Sequence, residues 1–118
     1  FVGDLFRVVA RHAPPPAGLR APTAWGDAER ARELFGAAAS EIRTHVRDYV
    51  FRYRSAAHFV DVFREWYGPT HKAFAALDAE GQRALARDLT ALLEERNLAD
   101  DGTLVVPGAY LELVVRKA

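Results

Sequence analysis

Cysteine and methionine are both absent from the 118-residue sequence, and its formal net charge is zero. Without cysteine the chain has no disulfide, no thiolate nucleophile and no cysteine-based zinc or iron–sulfur site. Its 16 basic and 16 acidic side chains are interspersed, so it lacks the basic surface that binds phosphate backbones. These absences argue against cysteine-based catalysis and metal binding, and against nucleic acid as a partner.

Long apolar runs are also missing. No stretch approaches the roughly 18 uninterrupted apolar residues of a membrane helix, and no basic segment precedes an apolar stretch with a cleavage site. We therefore expect a soluble, cytoplasmic protein without a membrane partner. The chain begins at Phe1 within an apolar pattern and has no initiator methionine, which is typical of a fragment.

Closely spaced glycines are the next absence. The eight glycines fall at positions 3, 18, 26, 36, 68, 81, 102 and 108, with no Gly-x-Gly among them. A dinucleotide or S-adenosylmethionine loop needs such a pair after a strand, because the backbone must approach the ligand closely. The sequence therefore excludes a complete site of this kind within these residues.

Metal and nucleophile motifs are equally weak. His58 with Asp61 and His71 with Asp78 have no recognised ligand spacing, so no metal site is predicted. Ser40 and Ser55 are outside any nucleophile-elbow sequence. For each histidine, a surface or packing role is the more frequent one.

Apolar periodicity predicts four to five helices and two long strands. Pro14 ends the first helix, and Asp27, Ser55 and Asp78 stand at N-cap positions. The predicted helices cover 1–12, 27–36, 55–67, 69–77 and 78–97, and the predicted strands cover 42–54 and 103–116, the second with a break or bulge at Pro107 and Gly108.

The final strand is apolar on both faces, with Leu111 and Leu113 on one face and Val114 on the other. Such strands are normally covered on both sides, and an isolated two-stranded sheet is marginal in water. A missing N-terminal part, a second copy of the chain or packing helices must therefore complete the sheet. The fold class predicted is α+β, as one partial domain (1–118) comprising 1–54, a helical insertion at 55–97 and a last strand at 98–118.

An aromatic band runs through the helical insertion. Its members are Phe59, Phe63, Trp66, Tyr67 and Phe74. Such a stripe is most often core, but it also suits an apolar pocket for an organic ligand. Trp66, Tyr67, Thr70 and His71 surround the Gly68–Pro69 interruption, which makes them the first candidates for a lid.

Arginines recur along the first strand, at positions 43, 47, 52 and 54. They suit an anion site, but charges that discourage association between sheet edges are the more common explanation.

Several segments together resemble the C-terminal part of class I S-adenosylmethionine-dependent methyltransferases of the ubiquinone/menaquinone-biosynthesis type. The resemblance spans nearly the whole chain in the family's order. Its motifs are FVGDLF at 1–6, PPP at 14–16, WG at 25–26, FRYRS at 51–55 followed by Phe59 and Phe63, YGPT at 67–70, DGTL at 101–104 and YLE at 110–112.

The resemblance implies a Rossmann-like sheet in which the last strand lies antiparallel between the fifth and sixth strands. The cofactor loop and the ribose-binding acid would belong to an N-terminal half absent from this chain, so S-adenosylmethionine would bind there and this chain alone would be inactive. Ligands bind outside the carboxyl ends of parallel strands, so the insertion would begin over the active site. The implied substrate contacts are Phe63, Trp66, Tyr67 and Thr70, with His71 as general base for a small-molecule acceptor.

A second interpretation stays open. The chain also suits a non-catalytic α+β ligand-binding or dimerisation module that completes its sheet as a homodimer through the exposed edge of the last strand.

Overall fold

The structure, a computed structural model, describes residues 1–118 as an α+β arrangement of five α-helices and one two-stranded antiparallel sheet. The helices and strands are α1 (Val2–His12), α2 (Ala28–Phe35), β1 (Ala39–Tyr53), α3 (Ala56–Trp66), α4 (Gly68–Ala75), α5 (Ala79–Arg96) and β2 (Leu104–Lys117). Short 3₁₀ turns at Pro22–Gly26 and Gly36–Ala38 flank α2.

The predicted caps start three of the helices. The Asp27 carboxylate accepts hydrogen bonds from two backbone N–H groups at the start of α2. Ser55 Oγ accepts the backbone N–H of His58 at 3.1 Å, and Asp78 Oδ1 accepts that of Gly81 at 2.8 Å. Each cap satisfies a helix N–H that would otherwise lack a partner, so these boundaries are confirmed.

One hydrophobic core joins α1, α3, α4, α5 and the adjoining end of the strand pair. Its 12 buried residues are Leu5, Val8, Val9, Phe59, Val60, Ala73, Phe74, Leu85, Leu89, Leu93, Leu104 and Val106. The leucines of α5 recur every four residues, so one stripe of this helix meets the other helices. Here α5 is the central element, contacting every other element of the core.

The two strands pair without interruption from Tyr53 opposite Leu104 onward, and the one irregularity falls between Ala39 and Glu41. The predicted break at Pro107 and Gly108 is therefore wrong. In a two-stranded sheet every second N–H points away from the partner, so a proline need not disrupt the pairing. Gly108 is buried beside the Phe51 ring, where the lack of a side chain gives the ring room.

The two halves of this strand pair are covered on opposite faces. Near the helical core, Phe51 and Val106 point into the cluster. At the far end α2 contacts both strands, and half-buried Ile42 and Leu113 lie on the other face. Packing helices thus cover each face over part of its length, and whether a further strand or a second copy completes the sheet stays a prediction.

The molecule is elongated. Its radius of gyration is 16.8 Å, whereas a compact chain of this length has about 13–14 Å. Only 15 of 118 residues are buried, and each strand has a neighbour on one edge alone. None of the helices has the length and apolar character needed to cross a bilayer.

Candidate functional site

The five residues predicted as a site occupy different environments. Phe63 is half-buried, with its ring stacked 3.8 Å from that of Phe59. Trp66 is 76% exposed and Tyr67 is 36% exposed. Thr70 is buried, and its hydroxyl has no hydrogen-bond partner. As substrate contacts these four residues stay predictions.

His71, the fifth candidate, lines a cleft of about 480 Å³ between α3, α4 and α5. The other four candidates do not line it. Its polar side chains are Asp61, Arg64 and Glu65 of α3, His71 of α4 and Gln82 of α5, and Phe74 and Ala75 complete the lining. Polar and charged residues thus outnumber the apolar ones in its lining, and of the aromatic band only Phe74 takes part.

Arg64, an exposed side chain of the cleft, contacts both neighbouring helices. Its guanidinium carbon lies 5.0 Å from the centre of the Phe74 ring, a cation–π distance. Its Nη2 donates to Gln82 Oε1 at 2.6 Å. Gln82 in turn donates its Nε2 to the carbonyl oxygen of Leu77 at 3.0 Å, so the orientation of the amide is fixed.

His71 is oriented by the backbone of the same arginine. Its Nδ1 lies 3.0 Å from the carbonyl oxygen of Arg64. A carbonyl only accepts, so Nδ1 carries the proton in this contact, and Nε2 of the neutral ring is left as a free acceptor. This arrangement is that of a histidine able to accept a proton from a ligand.

A second cleft, of about 540 Å³, lies between α1 and α5, but its charges neutralise one another. Arg7 and Arg96 both pair with Asp4. Burial alone would raise the pKa of Asp4; the Arg7 hydrogen bond and the charges of both arginines outweigh it and lower that pKa. This second cleft is thus a salt-bridged contact between helices.

No cluster of three or more histidine, aspartate and glutamate side chains is arranged to hold a metal ion. No protein-family model matches the sequence, and no curated protein matches it.

Of the residues that line this cleft, His71 is a candidate from the sequence, whereas Arg64 and Gln82 are not. They are 18 positions apart, in helices separated by α4. One local signal was present, since Arg64 precedes His71 by seven residues across the Gly68–Pro69 interruption. In the structure, the chain after this interruption brings the His71 ring to the Arg64 carbonyl.

Proposed function

We propose that this chain is the acceptor-side, C-terminal part of a class I S-adenosylmethionine-dependent methyltransferase that acts on a small organic molecule. The observation that supports this most is the strand arrangement. β2 runs antiparallel beside β1, and its other edge has no strand partner. The family resemblance requires such a strand, with the fifth strand of the sheet on the open side.

The position of the helices also favours this proposal. α3 follows β1 directly, with Ser55 as its N-cap, and the cleft that His71 lines lies between α3, α4 and α5. In a Rossmann-like sheet, ligands bind beyond the carboxyl ends of the parallel strands. An acceptor held against these helices would therefore face the cofactor, with His71 Nε2 able to take its proton.

The residues present do not fit the cofactor itself. The two glycines with positive φ, Gly18 and Gly102, are far apart in the chain and lie in separate turns. Neither cleft contains the closely spaced glycines of a cofactor loop. We assign cofactor binding to an N-terminal half outside these residues, and we expect this chain alone to be inactive.

Calorimetric titration with S-adenosylmethionine and S-adenosylhomocysteine tests the proposal. The 118-residue chain should bind neither, and a longer polypeptide that contains it should bind both. Binding by the 118-residue chain would overturn the division between the two halves. Failure of the longer polypeptide to bind would overturn the methyltransferase assignment.

A dimerisation module is the second candidate, and the exposed strand pair favours it. Val46 is 76% exposed and Val114 is 46% exposed, which is unusual for long strands of a monomer. In this case two copies would join through the open edge of β2. Sedimentation equilibrium separates the candidates, since a module gives one defined dimer and an incomplete sheet gives concentration-dependent mixtures.

A further inference from the structure

We propose that the cleft between α3, α4 and α5 binds a small zwitterion, with a carboxylate on Arg64 and an ammonium group on Asp61 and Glu65. The inference does not depend on the methyltransferase proposal. It rests on charges of both signs that line one cleft and are kept from pairing with each other.

Other helices of this chain show what such charges ordinarily do. Side chains three residues apart on a helix are neighbours, and opposite charges at that spacing tend to pair. In α2, Arg30 pairs with Glu33 at 2.6 Å, and Arg32 pairs with Glu29 at 2.5 Å. In α3, Asp61 and Arg64 have the same spacing and line the same cleft, yet they form no ion pair.

Arg64 is not paired with Asp61 because its side chain turns to the neighbouring helices α4 and α5. Its guanidinium stacks on Phe74 of α4 and donates to Gln82 of α5. Gln82 is itself fixed by the carbonyl of Leu77. A guanidinium has five N–H donors, so most of them remain for a ligand. A planar group held in advance suits the two oxygens of a carboxylate.

The acids of the cleft determine what else the ligand must carry. Asp61 and Glu65 are four residues apart, so they share one face of α3, and both are exposed without a cationic partner. A simple anion on Arg64 would be repelled by these carboxylates, and a simple cation would be repelled by Arg64. A ligand with both charges can pair its carboxylate with Arg64 and its ammonium group with Asp61 and Glu65.

The size and lining of the cleft agree with a small polar ligand. Its volume, about 480 Å³, lies within the usual range for small-molecule sites. His71 adds Nε2 as a further polar group, because its Nδ1 is occupied by the Arg64 carbonyl. An amino acid, with its charges a few bonds apart, is the simplest ligand of this class.

A ligand titration tests the inference. NMR monitors the Arg64 Nε–H and the backbone amides of residues 61–82 at each ligand concentration. The probes are glycine, β-alanine and γ-aminobutyrate, in which the separation of the two charges increases. The controls are propionate and propylammonium, which each keep one charge of β-alanine. We expect the best zwitterion to bind at least about tenfold more tightly than either control.

Two outcomes would overturn the inference. Propionate that binds as tightly as the best zwitterion would make the cleft a plain anion site, and the absence of shifts with all three zwitterions would exclude a site. The zwitterion that binds most tightly also indicates the distance between the Arg64 guanidinium and the carboxylates of Asp61 and Glu65.

Variants give a second test of the same site. Arg64→Gln should weaken binding of the best probe by about ten- to a hundredfold, because it removes one charged partner. Asp61→Asn should weaken it too, and this variant tests the site without disturbing the contacts of Arg64 with Phe74 and Gln82. Arg83→Gln is the matched control, since Arg83 is an exposed arginine of α5 outside the cleft. Unchanged binding in both Arg64→Gln and Asp61→Asn, with native circular dichroism, would overturn the assignment.

Discussion

His12 Nε2 lies 2.9 Å from Asp88 Oδ2, so a half-buried hydrogen bond joins α1 to α5 across 76 positions of the chain. This bond is the largest cause of the lowered pKa of the Asp88 carboxyl. Burial opposes the lowering of that pKa, and the charges of Arg87 and His12 add to it. The contact therefore attaches the N-terminal helix to the central helix of the core.

Asp88→Asn should lower the free energy of unfolding by about 0.5–1.5 kcal/mol at pH 7, the net contribution of a typical hydrogen bond. A carboxyl whose pKa is lowered in the folded state stabilises the protein above its unfolded pKa, near 4, and the effect is lost as pH falls through the folded pKa. The difference between the two proteins should therefore shrink below about pH 4. Urea unfolding at several pH values measures it.

The control for this prediction is Asp100→Asn, at an exposed aspartate without a hydrogen-bond partner, which should change stability little at any pH. The two proteins, Asp88→Asn and the original, should differ less in free energy of unfolding as the pH falls. A difference that increased towards acid pH would contradict a stabilising Asp88 carboxylate.

Asp101 and Thr103 close the turn before β2. The Thr103 hydroxyl donates to Asp101 Oδ1 at 2.6 Å, and the Thr103 backbone N–H donates to the same oxygen at 2.9 Å. Both bonds lower the pKa of Asp101 below its ordinary value, and the bond from the hydroxyl has the larger effect. Thr103→Val keeps the backbone bond and removes the other, so it should raise that pKa. Carbon-detected NMR titration of the carboxyl measures the change.

Thr90→Val serves as the comparison for the Asp101 titration. The Thr90 hydroxyl donates to the Ala86 carbonyl in α5, so its loss should leave the pKa of Asp101 unchanged. Equal titration curves for Thr103→Val and the original protein would show that the hydroxyl has no effect on the carboxyl.

Leu89 tests the core. Its side chain is 2% exposed in the cluster that unites the helices with the strand pair. Leu89→Ala should lower the free energy of unfolding by about 2–5 kcal/mol, through lost burial and the cavity that remains. Leu98 is 73% exposed, so Leu98→Ala should cost less than about 0.5 kcal/mol. Similar midpoints for the two variants in urea would mean that the core is not organised around α5.

Elements of this fold with strong local signals were predictable from the sequence. The N-cap Asp78 and leucines at every fourth residue predicted α5 nearly to its observed ends. The alternation of side chains predicted the strand that is observed at Ala39–Tyr53. Which face of a strand is covered was not predictable. Alternation shows which residues share a face, but it does not show that α2 contacts one end of the strand pair while α3 and α5 contact the other.

The site was less predictable than the fold for a related reason. His71 stands beside a helix interruption, a local signal, and it lines the cleft between α3, α4 and α5. The contact of Arg64 with Phe74 and Gln82 depends on how three helices meet. No periodicity in the sequence indicates such a contact, so the charged character of the cleft became apparent only in three dimensions.

Gly108 shows the same limit at a single position. In sequence it suggests a break in the strand, whereas in the structure it is paired opposite Tyr49 and buried. A Cβ added there would lie 3.0 Å from Cε2 of Phe51 and 3.6 Å from Cδ1 of Phe1. The Phe51 ring has little room to move, because the rings of Phe1, Tyr49 and Phe59 lie within 6 Å of it, at 5.4, 4.8 and 5.9 Å.

Gly108→Ala should therefore lower the free energy of unfolding by about 1–3 kcal/mol through overpacking. Gly26→Ala, where an added Cβ meets nothing within 4 Å, should stay within about 0.5 kcal/mol of the original protein. In a Phe51→Leu background the crowded ring is gone, so Gly108→Ala should cost less there than in the original protein. Urea unfolding of the four proteins in this cycle measures the coupling between the two positions. An equal cost in both backgrounds would mean that the glycine is required for a reason other than the Phe51 ring.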